Sequence, residues 1–459
     1  MIVFACAKAI FYTKQLMNLQ HYKETIRLGL PIVIGQIGVI VLGFADTMMV
    51  GHYNTESLAA ASFVNNVMNL IIITLLGFSY GITPIIGGLF ARRELRRAGK
   101  ALKEAVVTNL IIGLLFTAIM GIVYFHLDAF NQPKELMPII RPYYLTILSS
   151  LVFVALFNAM RQFTDSIMQT STAMWLLITG NLLNILFNYL LIFGKFGFPE
   201  LGALGAGIST LGSRIFMALA FMLLLYKRKC YALYREGFRL SALRLKGILR
   251  IARISFPVAL QMGMETGTFT ISAIMVGWIG TIELASYQVL ATLSTLGFMF
   301  YYSMGSAVAI RVANFMGVGD RVNVRRAAWS GYHILLGLAV MASIIFFVFS
   351  GPLISGFTSD PRVIATSQSL IGALILYQFG DATQTCFANA LRGTSEVLSM
   401  MVLAFISYIL IGIPTSYLLA FPAGLGVQGI FLSFTVALLT AGILFLLRFN
   451  KATRLVPQR

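Results

Sequence analysis

Three carboxylates interrupt runs of sequence that are otherwise almost wholly apolar. Asp46 lies in PIVIGQIGVIVLGFADTMMVG (31–51), Glu265 in PVALQMGMETGTFTISAIMVG (257–277), and Asp381 in a third run beginning near residue 364. The other acids fall in loops or at the ends of such runs. Holding an aspartate at the centre of a bilayer costs about 2.5–3.5 kcal/mol even on the lenient insertion scale, so an intramembrane acid usually faces a cavity or a partner. Burial disfavours its charged form, and a proton or a sodium ion relieves that penalty. The chemistry on offer is therefore reversible cation binding. The alternative role is a hydrogen-bonded acid that fixes helix packing.

The neighbours of the three acids differ. Helical spacing places Tyr377, Gln378, Gln384 and Thr385 on the face of Asp381, and Gln261, Thr268 and Ser272 on that of Glu265. These faces offer several oxygens, the ligand type that hard cations take. Asp46 shares its face with Leu42, Gly43, Met49 and Val50, so its polar partners must come from another helix. Asn181, Asn184 and Asn188 form a stripe along one face of the fifth apolar run and are the candidates. The same stripe also reads as helix–helix glue, at about 0.6 kcal/mol per bond.

The elements that position these residues follow from composition. Of 459 residues, 58% are hydrophobic and only 11% charged, far from the quarter usual in soluble domains. Apolar runs near 28–50, 58–90, 104–125, 139–160, 166–193, 203–226, 251–277, 284–311, 327–350, 364–388, 396–418 and 425–447 are each long enough to cross a bilayer as a helix. The expectation is an all-α membrane protein with twelve transmembrane helices. The net charge of +18 comes from loops between these runs, which speaks for a membrane protein rather than a nucleic-acid binder. With the N-terminus inside, twenty-nine of the 34 lysines and arginines lie on the inner side. Both termini are thus expected in the cytoplasm, in a bacterial-type inner membrane. Arg214 alone of the basic residues falls well inside a span rather than near its end.

The chain nearly repeats. Pro31 matches Pro257, MMVG (48–51) matches IMVG (274–277), Asn158 to Arg161 match Asn389 to Arg392, and Gly202 and Gly205 match Gly426 and Gly429. Six spans per half give two bundles in the same orientation, related by a pseudo-twofold axis along the membrane normal. The expected division is a tail to residue 25, a bundle over 26–226, a basic linker over 227–250, a second bundle over 251–450 and a tail over 451–459. Residues 1–16 read as an upstream mis-start or loose tail before Met17. Pro31, Pro257 and Pro414 interrupt spans; each allows either a gating bend or a static kink. Cys6, Cys230 and Cys386 have neither metal nor disulfide spacing. No GxxxxGK[ST] loop is present, which argues against ATP-driven transport by this chain.

The pieces FADTMMVG (44–51), NLLNILFNYLLIFGKFG (181–197), PELGALGAG (199–207), MGMETGTF (262–269) and GDATQTCFANALRG (380–393), in this order, resemble the MATE (multidrug and toxic compound extrusion) transporters, most closely their NorM-like branch. The resemblance covers roughly residues 20 to 450. It implies export of cationic, amphipathic compounds by antiport with sodium or protons, with no cofactor and as a monomer. It further implies a cation site of Glu265 and Asp381 with Tyr377, where Na+ would bind, and places Gln288 in that neighbourhood. Asp46 would serve the N-terminal bundle. The DinF-like branch has a second aspartate there, and this chain has Asn188, so that site holds one acid, supported by Asn184 and Thr210. Gln261, Gln378 and Gln384 are the further supporting polar residues. Three other readings stand beside antiport: a lipid-linked saccharide flippase, whose cavity would need several cations; a membrane-embedded transferase, which would need catalytic groups clustered near one interface; and a channel, for which no continuous pore is evident.

Overall fold

A computed structural model describes residues 19–130 and 132–454, and nearly all of them are helical. Residues 1–16, read above as a loose tail, lie outside the described residues. Ten helices are long and apolar enough to cross a membrane, and a bent pair, Pro361–Ser369 with Ile371–Gly393, makes an eleventh. The twelfth, Leu245–Ile279, is 35 residues long. It falls short on apolarity alone, because Gln261, Glu265, Thr266, Thr268, Thr270 and Ser272 lie within it. The twelve-helix expectation therefore holds, with polar residues weakening the span that carries one of the acids.

Three spans are less regular than their sequences suggest. The run 58–90 is a pair of helices, Thr55–Ser79 and Ile82–Ala91, with a break at Tyr80 and Gly81. Pro84 explains it: proline has no N–H for the carbonyl four residues back, which is that of Tyr80. The tenth span bends by 49° between its two helices. In the eleventh, Val397–Ala404 passes into a π-helical segment, Phe405–Gly412, before Ile413–Ala420. Pro414 sits where the π-helical segment passes directly into that last helix. Pro31 and Pro257, in contrast, sit inside unbroken helices.

The chain forms two compact units. One runs from Ile34 to Ala259; the other joins the residues up to Val33 with those from Leu260 onward. The helices that carry Pro31 and Pro257, Leu19–Tyr53 and Leu245–Ile279, therefore begin in one unit and finish in the other.

Each unit is built round one helix. In the first it is Met137–Ser166, buried without interruption from Phe157 to Ser166. In the second it is Ile371–Gly393, buried from Gly380 to Gly393. These are the stretches that carry the repeated Asn-Ala-x-Arg. The repeated glycines also share one physical cause. Gly202 and Gly426 take left-handed backbone angles (φ +54° and +53°) just where a helix starts. One turn on, a Cβ at Gly205 would lie 2.5 Å from the Leu191 carbonyl oxygen, and one at Gly429 2.6 Å from the Leu419 carbonyl carbon. No larger residue fits either place without moving backbone.

The basic linker carries a short helix, Ala232–Leu240, docked on Leu95–Phe125. The docking is backbone to backbone: a Cβ at Gly99 would sit 1.9 Å from the Tyr234 carbonyl oxygen, and one at Gly237 1.9 Å from that of Arg96. Lys103 donates to the Ser241 carbonyl at 2.9 Å, and Arg96 pairs with Glu236. Gly99→Val is expected to cost about 1–3 kcal/mol, because neither backbone can give way. Limited proteolysis would check this: cleavage within 232–244 should accelerate in the variant while the spans stay protected.

Candidate functional site

In the unit containing Leu260 onward, the glutamate and the aspartate belong to one hydrogen-bonded chain. Gln261, one turn before Glu265, donates to its Oε2 at 2.8 Å. Gln384 donates to the same oxygen at 3.1 Å from the central helix, and to the Tyr408 hydroxyl at 2.5 Å. The Thr385 hydroxyl lies 2.9 Å from the Gln384 Oε1 and 3.1 Å from the Asp381 Oδ1, and its one proton is donated to either oxygen. The order is thus Gln261, Glu265, Gln384, Thr385, Asp381. The two acids also interact electrostatically. Asp381 is 1% exposed, so this site lies inside the packed helices rather than on a surface.

Two oxygens in this network have no partner: Asp381 Oδ2 and the Gln261 Oε1, both buried. Leaving a buried acceptor unpaired costs about 1–3 kcal/mol, and more for a charged group. A proton on the carboxylate, or a small cation among these oxygens, would satisfy them. The donor set fits a hard monovalent cation: carboxylate, amide and hydroxyl oxygens, with no sulfur or imidazole. No group of three or more His, Cys, Asp or Glu side chains able to hold a metal occurs among the described residues.

Tyr377 is buried and meets Phe269 and Phe434 edge-on, with ring centroids 6.3 and 6.4 Å away. It forms an aromatic wall one turn from Asp381. Gln378 turns elsewhere and accepts from Tyr301 at 2.8 Å. Thr268 and Ser272 do not serve Glu265; the first bonds the Met264 carbonyl and the second lies 3.5 Å from Ser416. Gln288 is exposed on the helix Thr281–Gly317 and does not join the hydrogen-bonded chain of the acids. Tyr408 was not legible in the sequence. It reaches Gln384 from the π-helical segment, whose wider turn changes which side chains face inward.

In the unit spanning Ile34–Ala259, Asp46 receives its partners from the asparagine stripe. Asn188 donates to Asp46 Oδ1. The Asn184 amide nitrogen, in the orientation that satisfies its neighbours, donates to the same oxygen at 2.9 Å, while its oxygen accepts from Thr210 at 3.3 Å. Asn181 stays out of this group, and its Nδ2 has no partner. Both bonding asparagines are fully buried, whereas Asp46 keeps some accessible surface. Arg214, one turn beyond Thr210, donates to Ser150 Oγ at 2.5 Å.

A further polar cluster ties the start of the first helix to the second unit. Arg311, 1% exposed, donates to the His21 carbonyl and Thr25 Oγ1, both at 2.7 Å. It also reaches His21 Nδ1 at 2.7 Å and Glu24 Oε2 at 2.8 Å. Tyr22 meets His333 at 2.7 Å.

The MatE family model matches residues 31–190 and 257–418, one stretch in each half of the repeat. The chain is 29% identical over 427 residues to the "Probable multidrug resistance protein NorM" of Xanthomonas campestris pv. campestris, covering 93% of both chains. It is 28% identical over 442 residues to the "Multidrug resistance protein NorM" of Vibrio cholerae, covering 94% of both. Its fold matches that of the eukaryotic MATE transporter AtDTX14 with a TM-score of 0.85 at 20% identity, over 95% of this chain and 98% of that one.

Proposed function

Because the chain belongs to the MatE family, we propose that it is a secondary multidrug exporter, coupling outward movement of cationic amphiphiles to inward flow of sodium ions or protons. The observation that carries the coupling is the buried network of Glu265, Gln384, Thr385 and Asp381, with unpaired oxygens at Asp381 and Gln261. A coupling ion bound there relieves the buried charge. Ion and drug then bind in alternation, and by linkage each weakens the other. Asp46, held by Asn184 and Asn188, is the corresponding acid of the first unit. Its single charge and amide partners favour a proton-sensitive or drug-facing role over a metal site. Asp46→Asn is accordingly expected to change the pH dependence or the drug profile more than the sodium dependence of efflux.

The division into two units, with the helices of Pro31 and Pro257 shared between them, supports alternating access. The basic-residue bias supports an inner-membrane protein with cytoplasmic termini. Cys230, exposed in the linker, provides a direct check of that orientation, since Cys386 is buried. With Cys6 replaced by Ser, a membrane-impermeant maleimide should label Cys230 in inverted vesicles and leave it unlabelled in intact cells. Labelling from outside would overturn the orientation.

The reading as an exporter is tested in a bacterial host lacking its own drug pumps. Expression should lower accumulation of a fluorescent organic cation, and an ionophore that collapses both gradients should restore it. Accumulation that is unchanged by expression would refute export of this class of compound.

A further inference from the structure

Arg214 has no part in the coupling just described, yet its surroundings are built. It lies midway along the helix Gly202–Lys227, in a span that lipid should purge of charge. Four other helices of the same unit bring polar groups to the same place. Asp46 comes from the first helix and Asn184 and Asn188 from Thr170–Ile192. Ser150 and Tyr143 come from Met137–Ser166, and Asn65, which accepts from the Tyr143 hydroxyl at 3.2 Å, from Thr55–Ser79. Thr210, one turn before Arg214, bonds Asn184, which bonds Asp46, so the helix of Arg214 reaches the group that holds the acid.

The two charges nevertheless form no direct ion pair within 4 Å among the described residues. Asp46 is bonded by the amides, and Arg214 donates a single hydrogen bond, to Ser150. A guanidinium has five N–H donors in a planar fork suited to carboxylates. Asp46 and Arg214 are both partly accessible, while Asn184 and Asn188, which bond Asp46, are fully buried. The unit thus holds one anion and one cation that are not paired with each other, the anion being bonded by buried amides. A purely cationic ligand would gain from Asp46 and lose to Arg214. A ligand carrying an ammonium and a carboxylate would satisfy both.

We propose that Arg214, supported by Ser150, is a carboxylate subsite that makes the first unit selective for zwitterionic amphiphiles over simple cations. This deepens, and rests on, the reading of the chain as an amphiphile exporter.

The test uses a xanthylium dye with a free carboxylate and the methyl ester of the same dye, a cation of nearly the same shape. Binding of each to the purified full-length protein is followed by fluorescence anisotropy, with gradient-driven transport measured separately. Wild type should favour the free acid. Arg214→Gln should weaken binding of the acid by about tenfold or more, in line with the loss of a charge-assisted bidentate contact. The same change should tighten binding of the ester, because a repelling charge is gone. Arg214→Lys should retain part of the preference, and Ser150→Ala should lose part of it at normal protein yield. Parallel weakening of both dyes, or equal binding of both by wild type, would overturn the subsite. Discrimination in binding without transport of either dye would sink the exporter reading and leave the subsite standing.

Discussion

Glu265→Gln and Asp381→Asn are each expected to abolish gradient-driven efflux while leaving the protein at wild-type levels in the membrane. The amides keep the architecture. A glutamine at position 265 would still offer an oxygen to Gln261 and Gln384, and an asparagine at position 381 an oxygen to Thr385, so the hydrogen-bonded chain survives. What disappears is the charge that a coupling ion must balance. Gln384→Ala should give a smaller loss, since it removes the bridge to Glu265 and the contact with Tyr408 but no charge. The check is initial efflux rate per transporter, with quantitation of the membrane-inserted protein. Full rates in both acid variants would make the carboxylates packing residues.

The second large effect is on stability. Arg311 is buried and holds the His21 carbonyl, Thr25, the His21 ring and Glu24, four contacts to the first turns of the opening helix. That segment belongs to the unit of Leu260 onward, although the helix continues into the other. Breaking a buried pair by removing one partner costs about 3–5 kcal/mol. Glu24 is 44% exposed at its side chain, so its freed charge is partly solvated and the lower end of that range applies. Arg311→Met should therefore lower the melting temperature in detergent and speed proteolysis within 19–33. Arg311→Lys should restore little, because an ammonium cannot reproduce the fork that meets His21, Thr25 and Glu24 together. Melting curves that overlay wild type would remove the anchoring role.

Much of this was visible before any coordinates. Lipid penalises polar groups so strongly that Asp46, Glu265 and Asp381 stood out from their apolar runs, and the repeat of Gly202 and Gly205 at Gly426 and Gly429 marked the same two backbone constraints in each half. Helical spacing correctly put Gln261 beside Glu265 and Thr385 beside Asp381, because residues four apart share a face. The stripe of asparagines supplied Asn184 and Asn188 to Asp46. Spacing failed where the partner comes from another helix. Gln384 lies on the face of Asp381 in sequence, yet its amide serves Glu265. Tyr408 was hidden because a π-helical segment shifts the register of its helix. The break at Gly81 was written in Pro84 but masked by the strong hydropathy around it. Arg311 and Glu24 looked like separate loop charges, since nothing in local sequence says that residues 287 positions apart will meet.

The central claim is that the buried acids of the second unit couple drug export to an ion gradient. The most direct test is transport of a fluorescent organic cation in proteoliposomes under an imposed sodium gradient, an imposed proton gradient, or neither. At least one gradient should drive uphill movement of the dye by wild type, and that movement should vanish in Glu265→Gln and in Asp381→Asn. Dye movement that is indifferent to both gradients, or equal in wild type and the two variants, would contradict the account.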